Sequence, residues 1–253
     1  MLDIEIPTLI LLFFAGGFAG FVDSIAGGGG IITVPVLLAV GIPPHHALAT
    51  NKLQSSFGSL TATMNYARKG LMNPRDLLTG ILFSFLGGIA GSIMVQYFSP
   101  GFLEKMILVM LIILFIYTVM SPKLGFEQTQ HKLNHLFFYT LFGLLIGFYD
   151  GFFGPGTGSF WTIAIILLLG LDLKQATAQT KLFNFTSNIV SLAVFIYSGL
   201  VLWTAGLIMG MGQIIGAYLG STLVSKNEVH FIRIFFLIVV AATIIKLSLD
   251  TFF

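Results

Sequence analysis

An apolar run near the N-terminus contains an acid followed by four consecutive glycines: Gly16-Gly17-Phe18-Ala19-Gly20-Phe21-Val22-Asp23-Ser24-Ile25-Ala26-Gly27-Gly28-Gly29-Gly30. A similar run returns as Gly147-Phe148-Tyr149-Asp150-Gly151-Phe152-Phe153-Gly154-Pro155-Gly156-Thr157-Gly158, with Asp150 in the place of Asp23. Successive glycines break a helix, since each costs about 1 kcal/mol relative to alanine. In hydrocarbon, a broken backbone is tolerated only where protein buries it or a water-filled cavity receives it. An ionised side chain there costs several kcal/mol, so it marks a site. The two breaks are therefore read as the walls of one binding site.

The surroundings are those of a membrane. Charged residues make up 9% of the chain, against about 25% in soluble domains. No charge falls between Asp76 and Glu104, between Asp150 and Asp172, or between Lys181 and Lys226. Each interval accommodates a span of ~20 residues, and the last accommodates two. Cysteine is absent, which excludes disulfides and thiolate metal sites.

The repeat extends well beyond the glycines. Ala47-Leu48-Ala49-Thr50-Asn51-Lys52-Leu53 matches Ala176-Thr177-Ala178-Gln179-Thr180-Lys181-Leu182, and Gly70-Leu71 matches Gly199-Leu200. Gly87, Gly91 and Ser92 match Gly216, Gly220 and Ser221. The chain thus divides into a first transmembrane repeat (1–121), a cytoplasmic linker (122–134) and a second repeat (135–253). Helices are predicted near 8–25, 30–41, 45–67, 75–98 and 102–120, then near 135–153, 158–170, 174–197, 202–224 and 230–250. The predicted fold is an all-α integral membrane protein with two inverted-topology repeats. Each repeat is a broken-helix hairpin plus three transmembrane helices.

The hand of the repeat follows from the basic residues. If each glycine break closes a hairpin on one face, Arg68, Lys69, Arg75, Lys123, Lys132, Lys174, Lys226 and Arg233 share a side, opposite Lys105 and Lys246. If 8–41 is a single broken span, the same ten residues split six to four. The first arrangement obeys the positive-inside rule better, and it places both termini outside the cytoplasm.

Helix N-termini carry unpaired N–H groups and about half a positive charge. The starts of the two short helices therefore predict an anion site at Gly27, Gly28, Gly29 and Gly30 and at Gly156, Thr157 and Gly158. Lys52 and Lys181 lie about two turns into their helices, deep enough to reach it, although each is also able to snorkel back to its interface. Asn51, Gln54 and Ser55 in one copy, and Thr180 and Asn184 in the other, with Asn188 beyond, add hydrogen-bonding groups. Asp23 and Asp150 either pair with the lysines or carry protons. His45 and His46 are placed in an interfacial turn. No P-loop pattern occurs, which argues against ATP coupling within this chain.

Gly20 to Gly29, Pro35, Gly41-Ile42-Pro43-Pro44, Ala47 to Leu53, Gly147 to Gly158 and Thr180-Lys181-Leu182 resemble the motifs of the TauE/SafE family of membrane permeases. The resemblance covers nearly the whole chain. It implies an anion permease of the bacterial inner membrane, linked in several members to sulfite, sulfonates or related sulfur compounds, working by secondary transport. The function expected is a proton-coupled secondary transporter of a small sulfur-containing anion, with an alternating-access site at the repeat interface. A passive anion channel and a non-transporting membrane scaffold are the alternatives. The expected partners are a small anion, the lipid bilayer and, left open, protons and a second copy in a homodimer. No enzyme activity, cofactor, metal or nucleic acid is expected.

Overall fold

The computed structural model describes residues 5–120 and 133–223. Within them the chain forms α1 (Ile6–Ala26), α2 (Gly29–Ala39), α3 (Pro44–Arg68), α4 (Leu78–Met94), α5 (Pro100–Met120), α6 (His135–Phe152), α7 (Thr157–Ala164), α8 (Leu173–Tyr197) and α9 (Trp203–Leu223). Short 3₁₀ turns at Pro74–Leu77 and Val95–Tyr97 flank α4. A π-helical turn, Ile165–Leu169, extends α7. No strand occurs among the described residues. The helix predicted at 230–250 and most of the linker lie outside them.

The helix boundaries fall where the local chemistry puts them. Pro44 opens α3, a position where a missing N–H costs nothing. Asp172 caps α8 by accepting from the Gln175 N–H. Gly70 and Gly199, counterparts in the repeat, end α3 and α8 with φ of 69° and 70°. At both ends the glycine N–H donates three residues back and the following leucine N–H donates five back. Only glycine enters that left-handed region without strain. His45 and His46 fall inside the first turn of α3 rather than in the turn before it. There His46 Nδ1 lies 2.7 Å from the Leu200 carbonyl, which ties α3 to the loop before α9.

Among the described residues, four helical segments are long and apolar enough to cross a bilayer: Ile6–Ile25, Pro74–Tyr97, His135–Phe152 and Trp203–Leu223. They form two close pairs. Phe13, Gly17 and Phe21 of α1 meet Gly212, Gly216 and Gly220 of α9 in the same order. Phe83, Ser84 and Gly88 of α4 likewise meet Gly143, Gly147 and Gly151 of α6. Both pairs therefore run parallel. Glycines spaced four apart let backbones touch, and in lipid such packing takes over much of the role that hydrophobic burial has in water. Large side chains such as Phe14, Leu82, Leu145 and Ile215 point outward.

Between the two pairs lie α3 and α8, each of 25 residues. They run antiparallel, with His46 beside Leu200 and Lys52 beside Asn188. Their buried faces carry the polar residues that lipid would reject, including Asn51, Lys52 and Gln54 on α3 and Lys181, Asn184 and Asn188 on α8. Tyr66, almost wholly buried, fixes α3 to α1 by donating from its hydroxyl to the Ser24 carbonyl at 2.6 Å. Losing one such bond costs about 1 kcal/mol, so Tyr66→Phe is expected to lower the melting temperature in detergent by roughly 2–4 °C. An unchanged midpoint would mean that this bond adds nothing to the α1–α3 contact.

Candidate functional site

The two glycine breaks meet. The Ser159 Oγ, in the first turn of α7, donates to the Gly27 carbonyl at 2.6 Å. A Cβ placed on Gly27 would lie 2.7 Å from the Gly158 Cα, so the two backbones touch where the helices stop. Gly30 approaches Pro155 in the same way, with its Cβ position 3.2 Å from the Pro155 Cα.

Each lysine crosses to the acid of the other half. The Lys52 Nζ lies 2.7 Å from Asp150 Oδ1, and the Lys181 Nζ lies 2.9 Å from Asp23 Oδ2. The lysine side chains are 1% and 0% exposed. They turn inward rather than snorkel. Buried ions at this depth need a partner and further hydrogen bonds, and both pairs have them. Lys52 also donates to the Asp150 backbone carbonyl and, at 3.2 Å, to Asn188 Oδ1. Asp150 in turn accepts from the Ser187 hydroxyl.

The second acid is held differently. Asp23 Oδ1 accepts from the Gly28 N–H at 2.9 Å and from the Gly29 N–H at 3.0 Å. The start of α2 thus already holds an anion, supplied by its own chain. Asp150 makes no such bond to α7; its carboxylate is taken by Lys52 and Ser187. The break itself accounts for the difference. From Asp23 to Thr33 the chain advances ten residues, and from Asp150 to Thr162 it advances twelve. Those threonines are otherwise equivalent: Thr33 Oγ1 donates to Asn51 Oδ1 at 2.5 Å, and Thr162 Oγ1 lies 3.1 Å from Thr180 Oγ1.

Between the breaks is a polar cavity of about 20 Å³, lined by Asp23, Gly28, Gly29, Gly30, Asn51, Ser55, Asp150, Gly154, Thr157, Gly158, Asn184 and Asn188. That is room for about one water. Six of the residues expected at the site stand behind this lining. Lys52 and Lys181 are screened by their carboxylates. Gln54 donates to Asn51 Oδ1 at 2.7 Å, and Thr180 packs on Thr162. Gly27 and Gly156 shape the two helix starts. Gly154 joins the lining, and its left-handed φ of 96° brings a Cβ position within 2.9 Å of the Lys52 Nζ.

Three amides face one another here. Asn51 and Asn188 use their carbonyl oxygens on Gln54, Thr33 and Lys52, and their N–H₂ groups make no bond among the described residues. The Asn184 Oδ1 is buried without a hydrogen-bond partner. With two lysines balanced by two aspartates, the cavity offers neutral donors in a setting of no net charge.

Two broken helices touching at a buried, charge-balanced cavity, inside a bundle of bilayer-length helices, define a polytopic membrane protein with a polar site at its centre. The chain belongs to the sulfite exporter TauE/SafE family, whose model matches residues 12–247. It is 43% identical over 232 residues to a probable membrane transporter protein of Haemophilus influenzae, covering 92% of this chain and 91% of the relative. It is 43% identical over 246 residues to the probable membrane transporter protein YfcA of Escherichia coli K12, covering 97% and 91%. A probable membrane transporter protein of a Sinorhizobium species, ORF9, is 42% identical over 251 residues, covering 99% and 96%. No solved structure matches the chain.

Proposed function

We propose that this chain is a proton-coupled secondary transporter of a small sulfur-containing anion in the bacterial inner membrane, working by alternating access between inverted repeats. The observation that carries the reading is the crossed pairing of Lys52 with Asp150 and Lys181 with Asp23 around one cavity. Each pair bridges the two halves, so moving one half against the other must break or remake it. Such an element has two arrangements, as alternating access at a repeat interface requires.

Three further features support the inverted arrangement. The parallel pair α1 and α9 has its counterpart in α6 and α4, and the two central helices run antiparallel. Arg68, Lys69 and Arg75, which follow the end of α3, share a face with Lys174 at the start of α8. Lys105 sits in the second turn of α5, toward the other face. Positive-inside bias makes the first face cytoplasmic.

Asp23 is the proton carrier in this reading. Both acids line the cavity, and Asp23, with a side chain 18% exposed against 4% for Asp150, is the more accessible of the two. A proton on its carboxyl removes the charge that Lys181 and the Gly28 and Gly29 N–H groups hold. That releases one of the two ion pairs that cross between the halves.

The test is flux into liposomes carrying the purified protein. Sulfite is expected to accumulate against its gradient when a pH gradient is imposed, and to stop accumulating when a protonophore collapses that gradient. Flux indifferent to pH and unable to run uphill would make the protein a channel. If sulfite, sulfate, thiosulfate and sulfoacetate all fail to move, the sulfur assignment is lost.

A further inference from the structure

The two helix starts are counterparts in sequence but not in occupancy. Asp23 fills the start of α2, whereas at the start of α7 the Thr157 N–H and hydroxyl donate to the Gly154 carbonyl, the Ser159 and Phe160 N–H groups donate to the Gly156 carbonyl, and Asp150 is turned to Lys52 and Ser187 instead. Beside α7 stands Asn184, 6% exposed, lining the cavity with its Oδ1 unpaired. Its Nδ2 lies 3.0 Å from the position a Cβ on Gly158 would occupy, so the amide rests directly on the first turn of α7. A buried amide oxygen left without a donor is destabilising, and a ligand in the cavity removes that cost.

We infer that the transported anion is seated asymmetrically, at the start of α7 between Thr157, Gly158 and Asn184, while the start of α2 is kept for the chain's own carboxylate. This rests on the transport reading above and adds a division of labour to it. One helix end holds the proton-carrying acid, and the other holds substrate. The chemistry of the seat fits a singly charged oxyanion bearing one proton, such as hydrogensulfite. Its O–H donates to Asn184 Oδ1, its remaining oxygens accept from the Asn51 and Asn188 N–H₂ groups and the Gly158 N–H, and the dipole of α7 favours its charge. Neither lysine lines the cavity in this structure, where Lys52 and Lys181 are turned to their carboxylates. The present cavity of about 20 Å³ holds roughly a water, so entry of the anion separates the two breaks.

Two measurements on the full chain test the seat. The first is a crystal of the protein soaked with selenite, whose selenium gives an anomalous signal. The peak is expected within hydrogen-bond reach of Thr157 and Asn184; a peak on the Gly28 and Gly29 N–H groups would overturn the inference and leave the transport reading standing. The second is calorimetric titration with sulfite, in which Asn184→Ala is expected to weaken binding at least tenfold. Asn184→Asp, which adds a charge that repels the anion, is expected to abolish it. The ligand-free melting point of each variant reports whether it folds. Wild-type affinity in a folded Asn184→Ala variant would sink the seat, and no binding of sulfite or selenite by the wild type would sink the transport reading with it.

Discussion

Replacing Lys52 by methionine is expected to destabilise the protein by about 3–5 kcal/mol and to abolish transport. The methionine fills most of the lysine's volume, so the loss is electrostatic. Asp150, with a side chain 4% exposed, would lose its ammonium partner and be left with the Ser187 hydroxyl. Removing the acid as well, in Lys52→Met with Asp150→Asn, is expected to bring stability back to within about 2 kcal/mol of wild type, because a buried pair replaced whole leaves no orphan charge. Transport would stay lost, since the cavity would be missing one of its two acids. Thermal unfolding of the two single variants and the double variant in detergent measures the coupling, expected at about 4 kcal/mol or more. Additive losses would mean that the pair is a contact without mutual dependence.

The other pair should respond less. Lys181→Met leaves Asp23 still bonded to the Gly28 and Gly29 N–H groups and partly reached by the cavity. About half the cost of Lys52→Met is expected, because hydrogen bonds to charged groups are each worth about 1.5–3 kcal/mol. Chemically identical pairs thus differ in consequence because the two breaks differ in length.

That difference marks how far the sequence could be read. The breaks, the acids and the lysines were all visible, because glycine runs and charges stand out against an apolar background. Over the described residues the helix ranges were visible too, since proline, glycine and capping residues punctuate the chain. What spacing did not show was the crossing of the pairs, with Lys52 reaching an acid 98 positions away and Lys181 one 158 positions away. Nor did it show that Asp23 folds back onto the helix it precedes. The two extra residues before Thr162 were a signal for that asymmetry, legible once the threonines are aligned as counterparts. The π-helical turn after Ala164 left no trace, because Ile165 to Leu169 are all apolar and fit an ordinary helix as well.

Gly27→Ala is expected to cost about 3 kcal/mol or more and to end transport. Two separate strains add at this residue. Its φ of 71° lies in the left-handed region, where a side chain costs about 1–2 kcal/mol. The added methyl would also lie 2.7 Å from the Gly158 Cα and 2.8 Å from the Ser159 nitrogen, and backbone does not yield as a flexible side chain does. Gly41→Ala separates the two effects. Its φ is 85°, yet nothing lies within 4 Å of the added methyl. Gly41→Ala is therefore expected to carry the conformational cost alone, about 1–2 kcal/mol, with transport retained. The excess loss in Gly27→Ala measures the contact between the breaks, and that contact is what lets two half-helices from different ends of the chain act on one cavity. Equal losses in the two variants would show that the breaks meet without depending on each other.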